Sequence, residues 1–283
     1  MISLVVTTQG ARSECVVRFV HSLDESKFRD FEVVFLDQSD GMDVKEIVHR
    51  SKSCNQINYL KIDMRPLSCA RNLGLKLIRG NIVGFPDDDC WYSPDLLGDI
   101  NEHFDNNRNI DVLCCNVFDP NLGIFYGRRR AGLVGIIEIT QLNAFKYPIS
   151  VGIFIKTPKE YRISFDEKLG VGSMWGSGEE TDLILRMLGE GYKIKFASQI
   201  FVYHPLATEQ KRNFSKFYNY GLGFGATIKK AVVRRQKLVL VELFEMVARS
   251  LGGVFCYVFL DFGRCKSYFY RFLGIVKGFL GFT

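Results

Sequence analysis

Short apolar runs alternate with stretches of helical period along the first half of the chain. Ile2–Thr8 (ISLVVTT) and Phe31–Asp37 (FEVVFLD) read as strands, with Arg12–Leu23 helical between them and helical potential again after Asp43. Asn58–Asp63 (NYLKID) is a third strand. Pro66 then opens a segment in which Leu67, Ala70, Leu73, Gly74 and Leu77 recur at helical spacing, with proline at its preferred helix start. NIVGFPD (81–87) is a fourth strand, Pro94 opens another helix, and Ile110–Phe118 (IDVLCCNVF) is a fifth strand. Strands that alternate with helices predict βαβ units. The expected fold is α/β: a Rossmann-like, mainly parallel sheet flanked by helices.

The middle, residues 120–178, is irregular and glycine-rich, with an apolar strand run at Pro148–Lys156. GSGEETDLILRMLGEGYKI then combines a glycine loop, an acidic helix start at Glu179 and Glu180, and an amphipathic helix. IKFASQIFVYHP follows as one or two strands that end in His204. The character changes after residue 208. The C-terminal stretch mixes glycine, aromatic and basic residues, then continues as long apolar runs broken by Glu242, Glu245, Arg249 and Asp261. The longest charge-free piece of those apolar runs, Ser250–Leu260, is too short to cross a bilayer. Two regions are therefore expected: 1–208, and a helical amphipathic extension over 209–283.

Charge sharpens that division. The chain has 283 residues and a net charge of +6. Residues 209–283 hold 13 Lys/Arg and 4 Asp/Glu; the rest hold 24 and 27. The whole basic excess thus lies in the last quarter, where it suits nucleic acid, an anionic membrane surface or phosphate groups. Eight cysteines without metal-ligand spacing read as reduced thiols. The N-terminus MISLVVTTQG lacks a basic region followed by a long apolar stretch, so no secretory signal is read there.

The most pointed chemistry is FPDDD. Asp87, Asp88 and Asp89 stand side by side directly after an apolar strand. Adjacent carboxylates repel one another and call for a cation or donors. In open α/β sheets, ligands bind beyond the carboxyl ends of the strands. Thr7, Thr8, Asp37 and the three acids all fall on that rim. Asp87 and Asp89, two residues apart at a strand end, can face one site, with Asp88 turned away. GxGxxG and GKS/T patterns are absent, which removes support for the usual dinucleotide and P-loop readings.

LVVTT, VVFLDQSDG, CARNLGL, FPDDD and GEETDL, in that order, resemble the linked motifs of family 2 glycosyltransferases with a GT-A fold, over about residues 1–205. YGLGFGATIKK is similar to a stretch of bacterial surface-polysaccharide sugar transferases. The resemblance implies an inverting, metal-dependent transfer of a sugar from a nucleotide diphosphate sugar to a glycan acceptor, lipid-linked, in surface polysaccharide biosynthesis. It implies Asp89 as a metal contact, with Asp87 near ribose or metal-bound water and the ion Mn²⁺ or Mg²⁺. His204 is a candidate further ligand for the metal or the diphosphate, and a lone histidine after a strand can also be structural. Arg71 is implied to touch the nucleotide; otherwise it pairs with a nearby acid. Asp37, framed by Thr7 or Thr8, can accept hydrogen bonds from the base, and Gln38 stands where the family often has Asp. The second acid of the ED-type pair is implied as the base. Here that is Glu180, with Glu179 open as the alternative, and Asp182 supports the loop.

Trp175 either stacks on a sugar face or packs. Lys229 and Lys230 either hold diphosphate or form a solvated face, and Arg128–Arg130 read as a loop or an acceptor-phosphate contact. The extension is expected on an anionic membrane at the cytoplasmic, inner face of the cell membrane, with no nucleic-acid partner. The other reading of its helices is packing on the core or in a homo-oligomer. Two further function readings stand beside the transferase. One is a nucleotidyltransferase of similar sheet architecture, against which TTQGARSE offers a poor phosphate loop. The other is an inactive membrane-bound scaffold in a polysaccharide assembly complex.

Overall fold

The computed structural model describes residues 1–10, 12–41, 43–126, 135–157, 163–206 and 213–282. Arg128–Arg130 and the expected boundary at 208/209 lie outside the described residues. The strands are β1 (Ile2–Thr8), β2 (Phe31–Asp37), β3 (Ile57–Lys61), β4 (Ile82–Gly84), β5 (Val112–Asp119), β6 (Ile124–Phe125), β7 (Ile136–Glu138), β8 (Ile153–Lys156) and β9 (Ile194–Tyr203). The helices are α1 (Ser13–Asp24), α2 (Asp43–Arg50), α3 (Leu67–Leu75), α4 (Leu96–Asn106), α5 (Glu179–Gly189), α6 (Phe214–Val233), α7 (Leu240–Tyr257) and α8 (Phe262–Gly281).

One sheet runs β3-β2-β1-β4-β8-β5-β9-β7, with β6 pairing β5. From β3 to β4 every pairing is parallel, as the alternation of strands and helices implies. β8 then enters antiparallel to both β4 and β5, so the far half is mixed. Nothing in the apolar run around β8 encodes a direction; its place follows from the long connection that precedes it. β6 and β7 are two and three residues long. Runs that short carry no readable alternation.

β1 and β2 are almost wholly buried because helices cover both faces of the sheet. α1 turns Val16, Phe19, Val20 and Leu23 to one face, and α5 turns Leu183, Ile184 and Met187 to the core on the other. In-register pairing sets Thr8 beside Asp37 at the carboxyl ends of β1 and β2. A further bridge joins Thr7 to Asp87 beyond β4. The rim predicted from sequence is therefore one continuous edge.

The last three helices are built in an unusual way. α6 and α8 run in the same direction and touch backbone to backbone. Gly221 and Gly225 on α6 face Arg271 and Ile275, and Gly274 and Gly278 on α8 face Tyr218 and Leu222, each so closely that a Cβ would overlap an opposing carbonyl oxygen. Small residues four apart are the usual means of such an approach. The buried residues of α7 are Glu242 and Ser250, whereas Phe244 and Phe255 stand 81% and 83% exposed. Glu242 turns inward because it meets the Lys146 ammonium at 2.7 Å. Among the described residues, no helix is long and apolar enough to cross a membrane.

Candidate active site

β4 stops at Gly84, but the chain still pairs with β1 at the Thr7–Asp87 bridge and turns only at Asp88 and Asp89. Strand alternation no longer applies there. Asp88 consequently does not turn away, as spacing alone suggests. It accepts a 2.6 Å hydrogen bond from Thr8 Oγ1 and one of 3.3 Å from Arg12 Nη2. Asp89 accepts from Arg12 Nη1 at 2.6 Å through Oδ2 and faces His204 Nε2 at 3.1 Å through Oδ1. His204 reaches this point because β9 pairs with β5 to its end, and the His204 amide donates to Phe118 O at 3.0 Å.

Ligand atoms of Asp87, Asp89 and His204 all lie within 4.8 Å of one another. Burial works against the Asp89 carboxylate, but His204 and Arg12 prevail and hold its pKa down to about 2. Burial also disfavours an imidazolium at His204, yet Asp89 and Asp87 outweigh it and raise the pKa. Two carboxylates and one imidazole fit a divalent ion such as Mn²⁺ or Mg²⁺.

A cavity of about 280 Å³ opens beside these groups, bordered by Thr7, Thr8, Gln38, the three aspartates and His204. Arg12 and Arg65 line it as well. Neither arginine is singled out by the sequence motifs, and the available signal was only their position just after β1 and just before ARN. Asp37 does not border the cavity. It is wholly buried and accepts from Tyr59 Oη at 2.6 Å, Lys61 Nζ at 3.2 Å and the Ser39 amide at 2.8 Å. Burial opposes its charge, but these donors lower its pKa. Gln38 takes the cavity wall instead, with Oε1 accepting from the Arg65 amide at 2.8 Å. A second cavity, about 350 Å³, lies at the sheet edge around Lys45, His49 and Tyr59; its lining has no carboxylate.

Arg71 connects the acids to α5. It is buried on α3, donating Nη2 to Asp87 Oδ1 at 3.0 Å and Nη1 to Glu179 Oε1 at 3.2 Å. It also reaches Ser150 Oγ at 3.3 Å and lies 5.4 Å from the Phe165 ring centre. Glu179 is thereby committed to a salt bridge. Glu180, beside it, makes no ion pair among the described residues. Burial first, and the Glu179 charge second, push its pKa well above the usual carboxylate range. Gly178 starts α5 at φ +89°, a left-handed conformation, and a Cβ there would stand 2.6 Å from Thr227 Oγ1 on α6. Only glycine lets the loop pass so close to α6.

The remaining candidates fall away from the cavity wall. Trp175 is packed, 7% exposed, with its ring centre 5.2 Å from that of Phe282. Lys230 is buried and bridges Asp166 and Asp182, the latter at 2.9 Å. Asp182 also holds Arg186 and Arg234 and so locks α5 to α6. Lys229 lies 5.7 Å from the Phe279 ring centre. Two tyrosines that sequence reasoning missed stand nearer the site. Tyr126 lies edge-on to His204 with ring centres 5.8 Å apart. Tyr220 on α6 has its pKa raised by burial and then by the Glu180 and Glu179 charges.

Three comparisons bear on this geometry. The family model described as Glycosyl transferase family 2 matches residues 3–170. No curated protein matches the chain. Among solved structures, S. aureus TarS residues 1–349 in complex with UDP-GlcNAc superposes with a TM-score of 0.61 at 17% identity, covering 99% of this chain and 92% of that one. The mannosyltransferase PcManGT from Pyrobaculum calidifontis, in complex with GDP-Man and Mn²⁺, gives a TM-score of 0.68 at 12% identity, over 98% and 86%. At such identities the likeness to these structures is one of fold.

Proposed function

The chain belongs to glycosyl transferase family 2, and on that premise we propose that it is an inverting, divalent-metal-dependent enzyme that moves a sugar from a nucleotide diphosphate sugar to a glycan acceptor. The observation that carries this reading is the meeting of Asp87, Asp89 and His204 on the sheet rim, joined through Arg71 to the helix start that bears Glu180. Asp89, Asp87 and His204 would hold a divalent ion, Mn²⁺ or Mg²⁺, which would supply positive charge against the departing diphosphate. Arg71 fixes Asp87 and Glu179 relative to each other. Glu180, which makes no ion pair among the described residues, takes the proton of the acceptor hydroxyl. The acceptor oxygen bonds to the anomeric carbon as the bond from that carbon to the phosphate oxygen breaks. The nucleoside diphosphate leaves with the electron pair. Thr8 holds Asp88 on the cavity wall, and Gln38 borders the cavity for the nucleotide where Asp37 is already saturated.

Thermal stabilisation by a panel of nucleoside diphosphates, with and without Mn²⁺, tests the donor side. One matching diphosphate at a hundredfold excess over its Kd stabilises by about 2.7 kcal/mol. Asp89→Ala is expected to remove the Mn²⁺-dependent part and to stay folded. Undiminished Mn²⁺-dependent stabilisation in that variant would sink the metal-site assignment.

The acceptor we infer is lipid-linked, reached by docking of the extension on an anionic bilayer at the inner membrane face. Its support is the exposed Phe244, Phe255, Phe259 and Leu260, the last three close in sequence to Arg264 and Lys266. Apolar side chains flanked by basic ones suit the headgroup boundary. The protein is expected to sediment with anionic vesicles, more loosely in high salt. Phe255→Ser with Phe259→Ser is expected to weaken that binding at least about tenfold, given roughly 1.5–3 kcal/mol per buried phenyl group. The two rings stand 83% and 96% exposed, so the fold is expected to survive. Unchanged sedimentation of the double variant would refute docking through this face.

A further inference from the structure

Both oxygens of the Asp89 carboxylate are already engaged by side-chain nitrogens of the protein. His204 Nε2 stands 3.1 Å from Oδ1, and Arg12 Nη1 donates to Oδ2 at 2.6 Å. The second arm of the Arg12 guanidinium reaches Asp88 Oδ1 at 3.3 Å. Arg12 thus lies across two of three adjacent carboxylates and supplies the countercharge that such a cluster requires. It does so from a loose position. Its side chain is 55% exposed, and its ion pairs among the described residues are those with Asp88 and Asp89. It sits at the turn between β1 and α1 and borders the 280 Å³ cavity together with Arg65.

A divalent ion and a guanidinium cannot both take Asp89 Oδ2. An exposed arginine yields at small cost, because water re-solvates it. A nucleotide diphosphate arriving in the same cavity brings the negative oxygens that a planar fork of N–H donors fits well. We propose that Arg12 is an exchangeable cation: it holds Asp88 and Asp89 while the metal is absent, releases Asp89 when the metal enters, and turns its fork to the donor diphosphate. The exchange rests on the metal site proposed above. Arg12 then balances the charge of the two acids it holds in the empty site and completes the phosphate cradle in the filled one.

The test is Mn²⁺ binding to the full chain followed by electron paramagnetic resonance, without nucleotide, then nucleoside diphosphate binding by calorimetry at saturating Mn²⁺. Wild type, Arg12→Gln and Asp89→Ala are compared, with circular dichroism as the check on folding. Arg12→Gln is expected to bind Mn²⁺ about fivefold more tightly, since an exposed competitor has gone. It is expected to bind the diphosphate about tenfold more weakly, since a charge-assisted fork has gone. Equal Mn²⁺ affinity in wild type and Arg12→Gln, with binding lost in Asp89→Ala, overturns the exchange and leaves the metal site standing. Mn²⁺ binding that is absent from wild type and Arg12→Gln, or equal in all three proteins, overturns the metal site and the exchange together. Tighter Mn²⁺ without weaker diphosphate binding also overturns the proposal, because Arg12 then has no second partner.

Discussion

Glu180→Gln is expected to lower sugar transfer about 100-fold or more while leaving Mn²⁺ and nucleoside diphosphate binding at wild-type levels. The substitution keeps size and removes basicity, and the loss is the usual scale for a general base. The pH profile gives an independent signature. Only the ionised carboxylate can take a proton, and burial beside Glu179 raises the Glu180 pKa. Wild-type transfer is therefore expected to climb with pH through that raised value, and the climb is expected to vanish in Glu180→Gln. The same elevation acts on stability with a definite sign. A carboxyl group harder to ionise in the folded chain than in the unfolded one costs stability as pH rises from the unfolded pKa towards the folded one. Glu180→Gln removes that cost and is expected to melt higher than wild type at neutral pH. Glu179→Gln should do something different. It takes a negative charge away from Glu180, so the climb in transfer shifts to lower pH, and it unpairs one arm of Arg71. If Glu179→Gln were the dead enzyme and Glu180→Gln remained active, the roles of the two acids would be reversed.

Arg71→Leu is expected to be the most destabilising single change at the site. The guanidinium is 1% exposed and stands between Asp87 and Glu179 at 3.0 and 3.2 Å. Removing one partner of a buried ion pair costs about 3–5 kcal/mol; here Glu179, 7% exposed, stays desolvated while Asp87, 37% exposed, regains water, so the lower end of that range is expected. In a chain of this size that corresponds to a fall in Tm of roughly 10 °C, measured without any ligand. An arginine whose business is only with the nucleotide would leave the ligand-free melting temperature alone. Arg71→Lys keeps the charge, but an ammonium lacks the fork that reaches both carboxylates. It is expected to lose part of the stability. A ligand-free Arg71→Leu protein that melts with the wild type would show that the bridge between the two acids carries no weight.

Where particular residues were legible in the sequence, the reason was local. Three acids after an apolar strand mark a sheet rim, and two acids after glycine mark a helix start. The first half of the sheet follows from the same local patterns. The unread features depend on reach or on which way a face turns. Asp88 faces the cavity because the chain turns at Asp88 and Asp89, directly after the Thr7–Asp87 bridge. Asp37 is spent on Tyr59 and Lys61 of the neighbouring strand, a pairing set by register. Trp175 meets Phe282, more than a hundred residues along. The apolar periodicity of α7 does not say which of its apolar residues are covered: Leu240 and Leu243 pack on the core, Phe244 and Phe255 stand exposed, and Glu242 turns inward to Lys146.

Contact between α6 and α8 has a mechanical consequence. Most helices meet through side chains, which bend by hopping between rotamers and so cushion small displacements. Here the meeting surfaces are main chain, at Gly221, Gly225, Gly274 and Gly278. α6 then touches Ser177 at Gly223 and Gly178 at Thr227, the two residues that lead into Glu179 and Glu180. No soft link separates the outer helices from the loop that aims the Glu180 carboxylate. The assembly behaves as a rod rather than a spring, and its tolerance is that of packed backbone, a fraction of an ångström. A displacement of α8 is therefore expected to reach the loop before Glu180 with little loss.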